Sequence, residues 1–151
     1  MKFRIDSDQK MQELGAKLAL ACAGRGRIYL EGDLGTGKTT LVRGLIRAMG
    51  HDGAVKSPTF TLIEPYQIGQ SNVYHFDLYR LSDPEELEYM GLREYFAPDS
   101  LCLVEWPQKG QQMLPEADLL LKLTHDGSAR KVSLEAQSEF GKSIIKTLKT
   151  A

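Results

Sequence analysis

The sequence predicts an α/β fold of one domain, with a mixed, mostly parallel central sheet, flanking helices and a C-terminal hairpin. Two observations carry this. Short apolar runs alternate with amphipathic helical stretches along the whole chain. Near the start, a strand, a glycine-rich loop and a helix follow one another without interruption. The chain is 151 residues long, enough for one real core but not for two independent folds.

Residues 2 to 5 read as a short extended start. Asp6 or Ser7 then offers a side-chain cap, and Met11, Leu14, Leu18 and Ala21 recur at three- and four-residue steps, one face of a helix. Gly24-Arg25-Gly26 ends it. Arg27 to Glu31 is a short apolar strand, and Gly32 opens a turn. From Lys38 to Met49 a second helix carries Leu41, Leu45 and Ile46, with Gly50 at the C-terminal stop. Thr59 to Tyr66 and Val73 to Asp77 read as antiparallel strands joined by a turn over Ile68 to Asn72. Asp83-Pro84-Glu85-Glu86 is a helix start, with a cap, a proline at the first position and two carboxylates at the positive end. Leu101 to Val104 is continuously apolar, as in a strand buried on both faces. Leu119 to Thr124 and Arg130 to Leu134 flank His125-Asp126-Gly127-Ser128 and predict a hairpin. A final helix spans 138 to 149, with Phe140, Ile144, Ile145 and Leu148 on one side. The Tyr residues 66, 74, 79 and 89, and His75, are expected on packed faces.

Composition narrows the function. Hydrophobic residues make up 42% and charged residues 26%, with 19 Lys+Arg against 20 Asp+Glu, so the chain is neither disordered nor strongly basic. A net charge of -1 argues against a protein that grips nucleic acid by itself. No apolar run approaches the roughly 20 residues of a membrane span, and the first residues lack a secretory pattern, so a cytoplasmic protein without membrane contact is expected. Cys22 and Cys102 lie far apart and outside any C-x-x-C pattern, which predicts core thiols in a reducing compartment.

The chemistry is carried by Gly32-Asp33-Leu34-Gly35-Thr36-Gly37-Lys38-Thr39, which fits G-x-x-x-x-G-K-[ST] at every fixed position. Glycines let successive backbone N–H groups turn toward phosphate oxygens, and the following helix adds its positive end. Lys38 has the reach for β- and γ-phosphates, and the Thr39 hydroxyl suits Mg²⁺. By chance the pattern arises in roughly one chain in 200 of this length. The strand before and the periodic helix after supply the context the motif requires. A Mg²⁺–nucleotide site also needs an acid at the carboxyl end of a neighbouring strand. Glu105 and Asp77 both end apolar runs, and each could hold Mg²⁺, directly or through water, or orient an attacking water. Ser57-Pro58-Thr59 is either a proline turn or a loop whose hydroxyls sense the γ-phosphate. Trp106 is the only tryptophan, open to a core role or, with Pro107 behind it, to an exposed turn. The one asparagine, Asn72, precedes Val73, so the N-K-x-D guanine reader is missing, and Asp77, Asp83 and Asp99 have no glycine three residues on. ATP is favoured over GTP.

Taken together, G-D-L-G-T-G-K-T-T (32–40), S-P-T-F-T-L (57–62), H-F-D-L-Y-R-L (75–81), D-P-E-E-L (83–87) and V-E-W-P (104–107) make the chain resemble the bacterial TsaE family, formerly called YjeE. The order and spacing match from about residue 5 to residue 135. The resemblance implies a single-domain P-loop NTPase over residues 1–151, required for threonylcarbamoyladenosine in tRNAs that read codons starting with adenine. It implies work with the transferase TsaD and its partner TsaB, with ATP hydrolysis supporting their turnover and tRNA held by the complex. By that resemblance Lys38 and the loop from Asp33 through Leu34, Gly35, Thr36, Gly37, Thr39 and Thr40 hold the nucleotide. Thr39 and Glu105 are the Mg²⁺ ligands, Asp77 is an essential acid, Thr59 sits in a switch-like loop, and Trp106 lies at the edge of the site. Asp8 and Arg130 are the nearest matches to the family's adenine contacts. The runner-up is a small-molecule P-loop kinase, although the arginines are scattered and no lid-sized insertion surrounds them. A nucleotide-binding adaptor with incidental hydrolysis is the third reading.

Overall fold

Helix α1 (Asp8–Cys22) starts where the Ser7 side chain accepts from Lys10 N, so the capping signal in the sequence is used. Before it, β1 (Lys2–Ile5) forms the extended start. The helix stops at Ala23, which takes the left-handed conformation one residue ahead of Gly24. Strand β2 (Gly26–Glu31) leads into the glycine-rich loop, and α2 (Lys38–Ala48) leads out of it. A computed structural model describes residues 1–58 and 60–150 of the chain.

Seven strands form one sheet in the order β1-β7-β6-β2-β5-β4-β3. The remaining strands are β3 (Ile63–Ile68), β4 (Ser71–Asp77), β5 (Ser100–Glu105), β6 (Leu119–Asp126) and β7 (Ala129–Ala136). The middle four, β6-β2-β5-β4, are parallel, and antiparallel pairs close both sides. The parallel character therefore lies in the centre, where the apolar run of β5 is buried at every position. Alternate residues of the strands feed two cores. Ile28, Leu30, Leu101 and Leu103 pack with Leu14, Leu18, Leu41 and Leu45 of α1 and α2, and with Ile144 and Leu148 of α5 (Glu139–Thr150). Tyr29, Phe76, Cys102 and Val104 form the opposite core with Leu87 of α3 (Glu86–Tyr89) and Leu92 of α4 (Leu92–Tyr95).

Four expectations change. The strand expected from Thr59 begins at Ile63, because Leu62 takes φ +66 and its N–H bonds Pro58 O, making a turn. Thr59 itself lies outside the described residues. The helix announced by Asp83-Pro84-Glu85-Glu86 is only four residues long. Its cap forms, with Asp83 Oδ1 accepting from Glu85 N and Glu86 Oε1 from Asp83 N, but the first bonds are three-residue steps and Gly91 at φ +72 breaks the run. The hairpin turn shrinks to Gly127-Ser128, since Asp126 pairs with Ala129. Tyr79 and Tyr89 are exposed rather than packed, while Tyr66 and His75 are buried.

Both cysteines are buried free thiols, and burial pushes Cys102 up to about 12. Among the described residues no helix is long and apolar enough to cross a membrane.

Helices α1 and α2 cross at a pair of glycines. A Cβ on Gly15 would stand 2.2 Å from Leu41 O, and one on Gly44 would stand 2.3 Å from Gln12 O, both backbone atoms that cannot swing away. Helix propensity alone makes alanine better than glycine by roughly 0.5–1 kcal/mol, whereas overpacking costs about 1–3 kcal/mol. Gly44→Ala is therefore expected to lower stability in a denaturant titration, and a midpoint at or above that of the parent chain would refute the close crossing.

Candidate active site

Strands β2, β5 and β4 end side by side, and their carboxyl ends bring the chemistry together. Leu30 pairs with Glu105, and Glu105 pairs with Asp77, so the two carboxylates occupy adjacent strand ends directly beside the loop after β2. Within that loop Gly35 and Gly37 take φ +78 and +99, a left-handed region that a side chain would strain. The Thr36 hydroxyl donates to Asp33 O at 2.8 Å and pins the turn. The first intrahelical bond of α2 runs from Leu41 N to Gly37 O, leaving the amides of Lys38, Thr39 and Thr40 as donors at the helix end.

Lys38 is buried, and its ammonium donates to Gly32 O and to Asp33 O, the latter at 3.0 Å. It also lies 4.5 Å from the centre of the Trp106 ring. Burial lowers its pKa, against the pull of the Glu105, Asp77 and Asp33 charges. Trp106 reaches this position because the chain turns into the left-handed region (φ 57, ψ 49) right after Glu105, while its N–H still bonds Leu30 O. Its ring meets Tyr79 at 5.0 Å.

Glu105 is buried and accepts from the Thr39 hydroxyl at 3.0 and 3.2 Å. From the other side, His75 Nε2 approaches Glu105 Oε2 at 2.6 Å. Asp77 is pushed above the ordinary carboxylate range, first by burial and then by the Glu105 charge, while its Oδ1 accepts from Tyr79 N at 3.1 Å. The hydroxyl of Thr39 and the Glu105 carboxylate are hard oxygen donors in mutual contact, with a second carboxylate on the next strand, and they fit a small divalent cation that keeps water and phosphate oxygens around it. No cluster of three or more His, Cys, Asp or Glu able to hold a metal occurs among the described residues.

These groups line one cleft of about 510 Å³, within the range of small-molecule sites. Asp8 at the start of α1 and Arg130 on β7 close its far end, and Arg130 Nε donates to Gly35 O at 3.3 Å, tying the hairpin to the loop.

The family model described as "Threonylcarbamoyl adenosine biosynthesis protein TsaE" matches residues 5–132. The chain belongs to the TsaE family. A tRNA threonylcarbamoyladenosine biosynthesis protein TsaE from Haemophilus influenzae is 58% identical over 118 residues, covering 78% of this chain and 75% of that one. The TsaE protein of Bacillus subtilis is 40% identical over 128 residues, covering 84% and 79%. A crystal structure of Bacillus subtilis YdiB superposes with a TM-score of 0.83 at 32% identity, covering 99% of this chain and 94% of that one.

Most residues singled out from the TsaE pattern meet in the cleft: Leu34 to Thr40, Asp77, Glu105, Trp106, Asp8 and Arg130. Asp33 takes part through its carbonyl and through the pull of its charge on Lys38, while the residue lines a separate groove with Gln108 and Lys122. Ser57 lines the cleft. Tyr79 and Arg80 line it too and were not among the expected site residues, although both lie in the H-F-D-L-Y-R-L segment. Spacing could have found Tyr79, since it stands two residues after Asp77 on a segment leaving a strand end. Ser7 and Met11 join through the N-terminal cap, a signal read only as structural.

The single tryptophan makes the Lys38 placement testable without any ligand. Lys38→Met removes the ammonium over the indole and is expected to change Trp106 emission in intensity or maximum. An emission spectrum identical to that of the parent chain would refute the contact.

Proposed function

We propose that the chain is an ATPase of tRNA threonylcarbamoyladenosine synthesis, which binds ATP with Mg²⁺ and whose hydrolysis drives turnover of a TsaB–TsaD complex in the cytoplasm. The observation that carries this reading is the meeting of Lys38, Thr39, Glu105 and Asp77 at the mouth of one glycine-rich loop, in a chain of the TsaE family. The names of the relatives supply the pathway, and the site supplies the chemistry.

In this reading Lys38 exchanges its loop carbonyls for β- and γ-phosphate oxygens, and the free amides at the start of α2 cradle the same anion. Thr39 and Glu105 hold Mg²⁺, which when bound neutralises charge on the phosphates. Asp77 stands beside Glu105 at the strand end and orients the attacking water, and Thr59, outside the described residues, takes the γ-phosphate-sensing role that the family resemblance gives it. Trp106 shields the phosphate side, while Asp8 and Arg130 bound the base side. Among the described residues, Arg80 is the one further cation that lines the cleft, and its guanidinium lies 4.9 Å from the Phe60 ring. Hydrolysis by the chain alone is therefore slow, and partners accelerate it. The net charge of -1 fits a division of labour in which the partners carry the tRNA.

Reconstitution tests this. Multiple-turnover modification of tRNA by TsaB and TsaD is expected to require this chain and ATP, while the chain alone hydrolyses ATP far below the enzyme median of about 10 per second. Modification that proceeds equally well without it refutes the role and leaves a P-loop kinase as the better reading. Within the site, Lys38→Ala is expected to abolish ATP binding, whereas Glu105→Ala keeps nucleotide binding and loses Mg²⁺-dependent hydrolysis. Full tRNA modification in cells carrying either variant would refute the assigned roles.

A further inference from the structure

His75 is completely buried in β4, one strand away from Glu105, and among the described residues only one of its two ring nitrogens has a partner. Nε2 meets Glu105 Oε2 at 2.6 Å, and Nδ1 has no hydrogen-bond partner among the described residues. The carboxylate is the acceptor in reach, so Nε2 carries a proton and donates it to Glu105, while Nδ1 faces the interior. An unpaired polar atom in the interior costs stability, and an apolar side chain of similar size would avoid that cost. The fold alone therefore gives no reason for a histidine at this position.

Geometry gives one. Glu105 is gripped from two sides: the Thr39 hydroxyl from the loop helix at 3.0 Å, and the imidazole from within the sheet at 2.6 Å. Val73 and Leu103, which share this side of the sheet, pack in the core with residues of α2, and the imidazole is fully enclosed beside them. We propose that His75 is a positioning residue that holds the Glu105 carboxylate in the orientation that faces Thr39 and its cation. This rests on the reading of Glu105 and Thr39 as the Mg²⁺ pair. Partners that orient a metal-ligating group in this way typically change metal affinity 10- to 100-fold when removed.

The experiment measures binding, not turnover. Calorimetric titration with the β,γ-imido analogue of ATP, in EDTA and across a Mg²⁺ series, separates phosphate binding from metal binding. His75→Leu is expected to raise the Mg²⁺ concentration at half-effect about tenfold or more, with affinity in EDTA unchanged. His75→Gln, which carries an amide N–H at the level of Nε2, is expected to restore most of the loss. His75→Asn, polar but too short to reach Glu105, reproduces the loss and serves if the leucine variant does not fold. In a Glu105→Gln background, His75→Leu is expected to add nothing. Equal loss in EDTA and in Mg²⁺, failure of the glutamine rescue, or additivity with Glu105→Gln overturns the proposal. If Glu105→Gln is defective in Mg²⁺ response while His75→Leu and His75→Asn are normal, the proposal alone fails. If Glu105→Gln itself responds normally, the metal-pair reading fails and the proposal falls with it.

Discussion

Two carboxylates of like charge, Glu105 and Asp77, sit at the ends of adjacent parallel strands, and the rest of the site is arranged around the cost of holding them there. Glu105 is buried and Asp77 is partly so, and burial together with the Glu105 charge raises Asp77's cost of ionisation. The compensation comes from several directions: the Lys38 ammonium, the Thr39 hydroxyl, the His75 ring and the Tyr79 amide. A purely structural sheet would have ended those strands in apolar or exposed residues.

The scaffold around this cluster is closely packed. The glycine pair at the crossing of α1 and α2 brings the backbones into contact and fixes the start of α2, and with it the direction of the loop amides, against the N-terminal segment. The hairpin reaches over from the opposite side through Arg130 to Gly35. The loop is thus held by elements from both ends of the chain. Trp106, forced over Lys38 by a left-handed turn, completes the enclosure on the strand side.

Much of this was legible before any coordinates. Glycine spacing, the strand ahead of it and the periodic helix after it fixed the loop, because backbone freedom and helix periodicity are local properties. Glu105 and Asp77 were legible as acids that end apolar runs. Tyr79, Arg80, Ser7 and Met11 were not, since their membership depends on where non-local segments converge. The late start of β3 and the four-residue α3 also escaped, because a left-handed Leu62 and three-residue first bonds override propensity.

What the sequence determined by itself was therefore the glycine-rich loop, the alternation of strands and helices, and the kind of residue at each strand end. Only the tertiary structure decided the strand order that sets Glu105 between the loop and Asp77, the approach of Arg130 to Gly35, and the contact of His75 with Glu105. The physical reason is range. A turn or a helix face is settled by neighbours a few residues away, whereas a buried imidazole 30 residues from its carboxylate finds it only once parallel strands have paired in register.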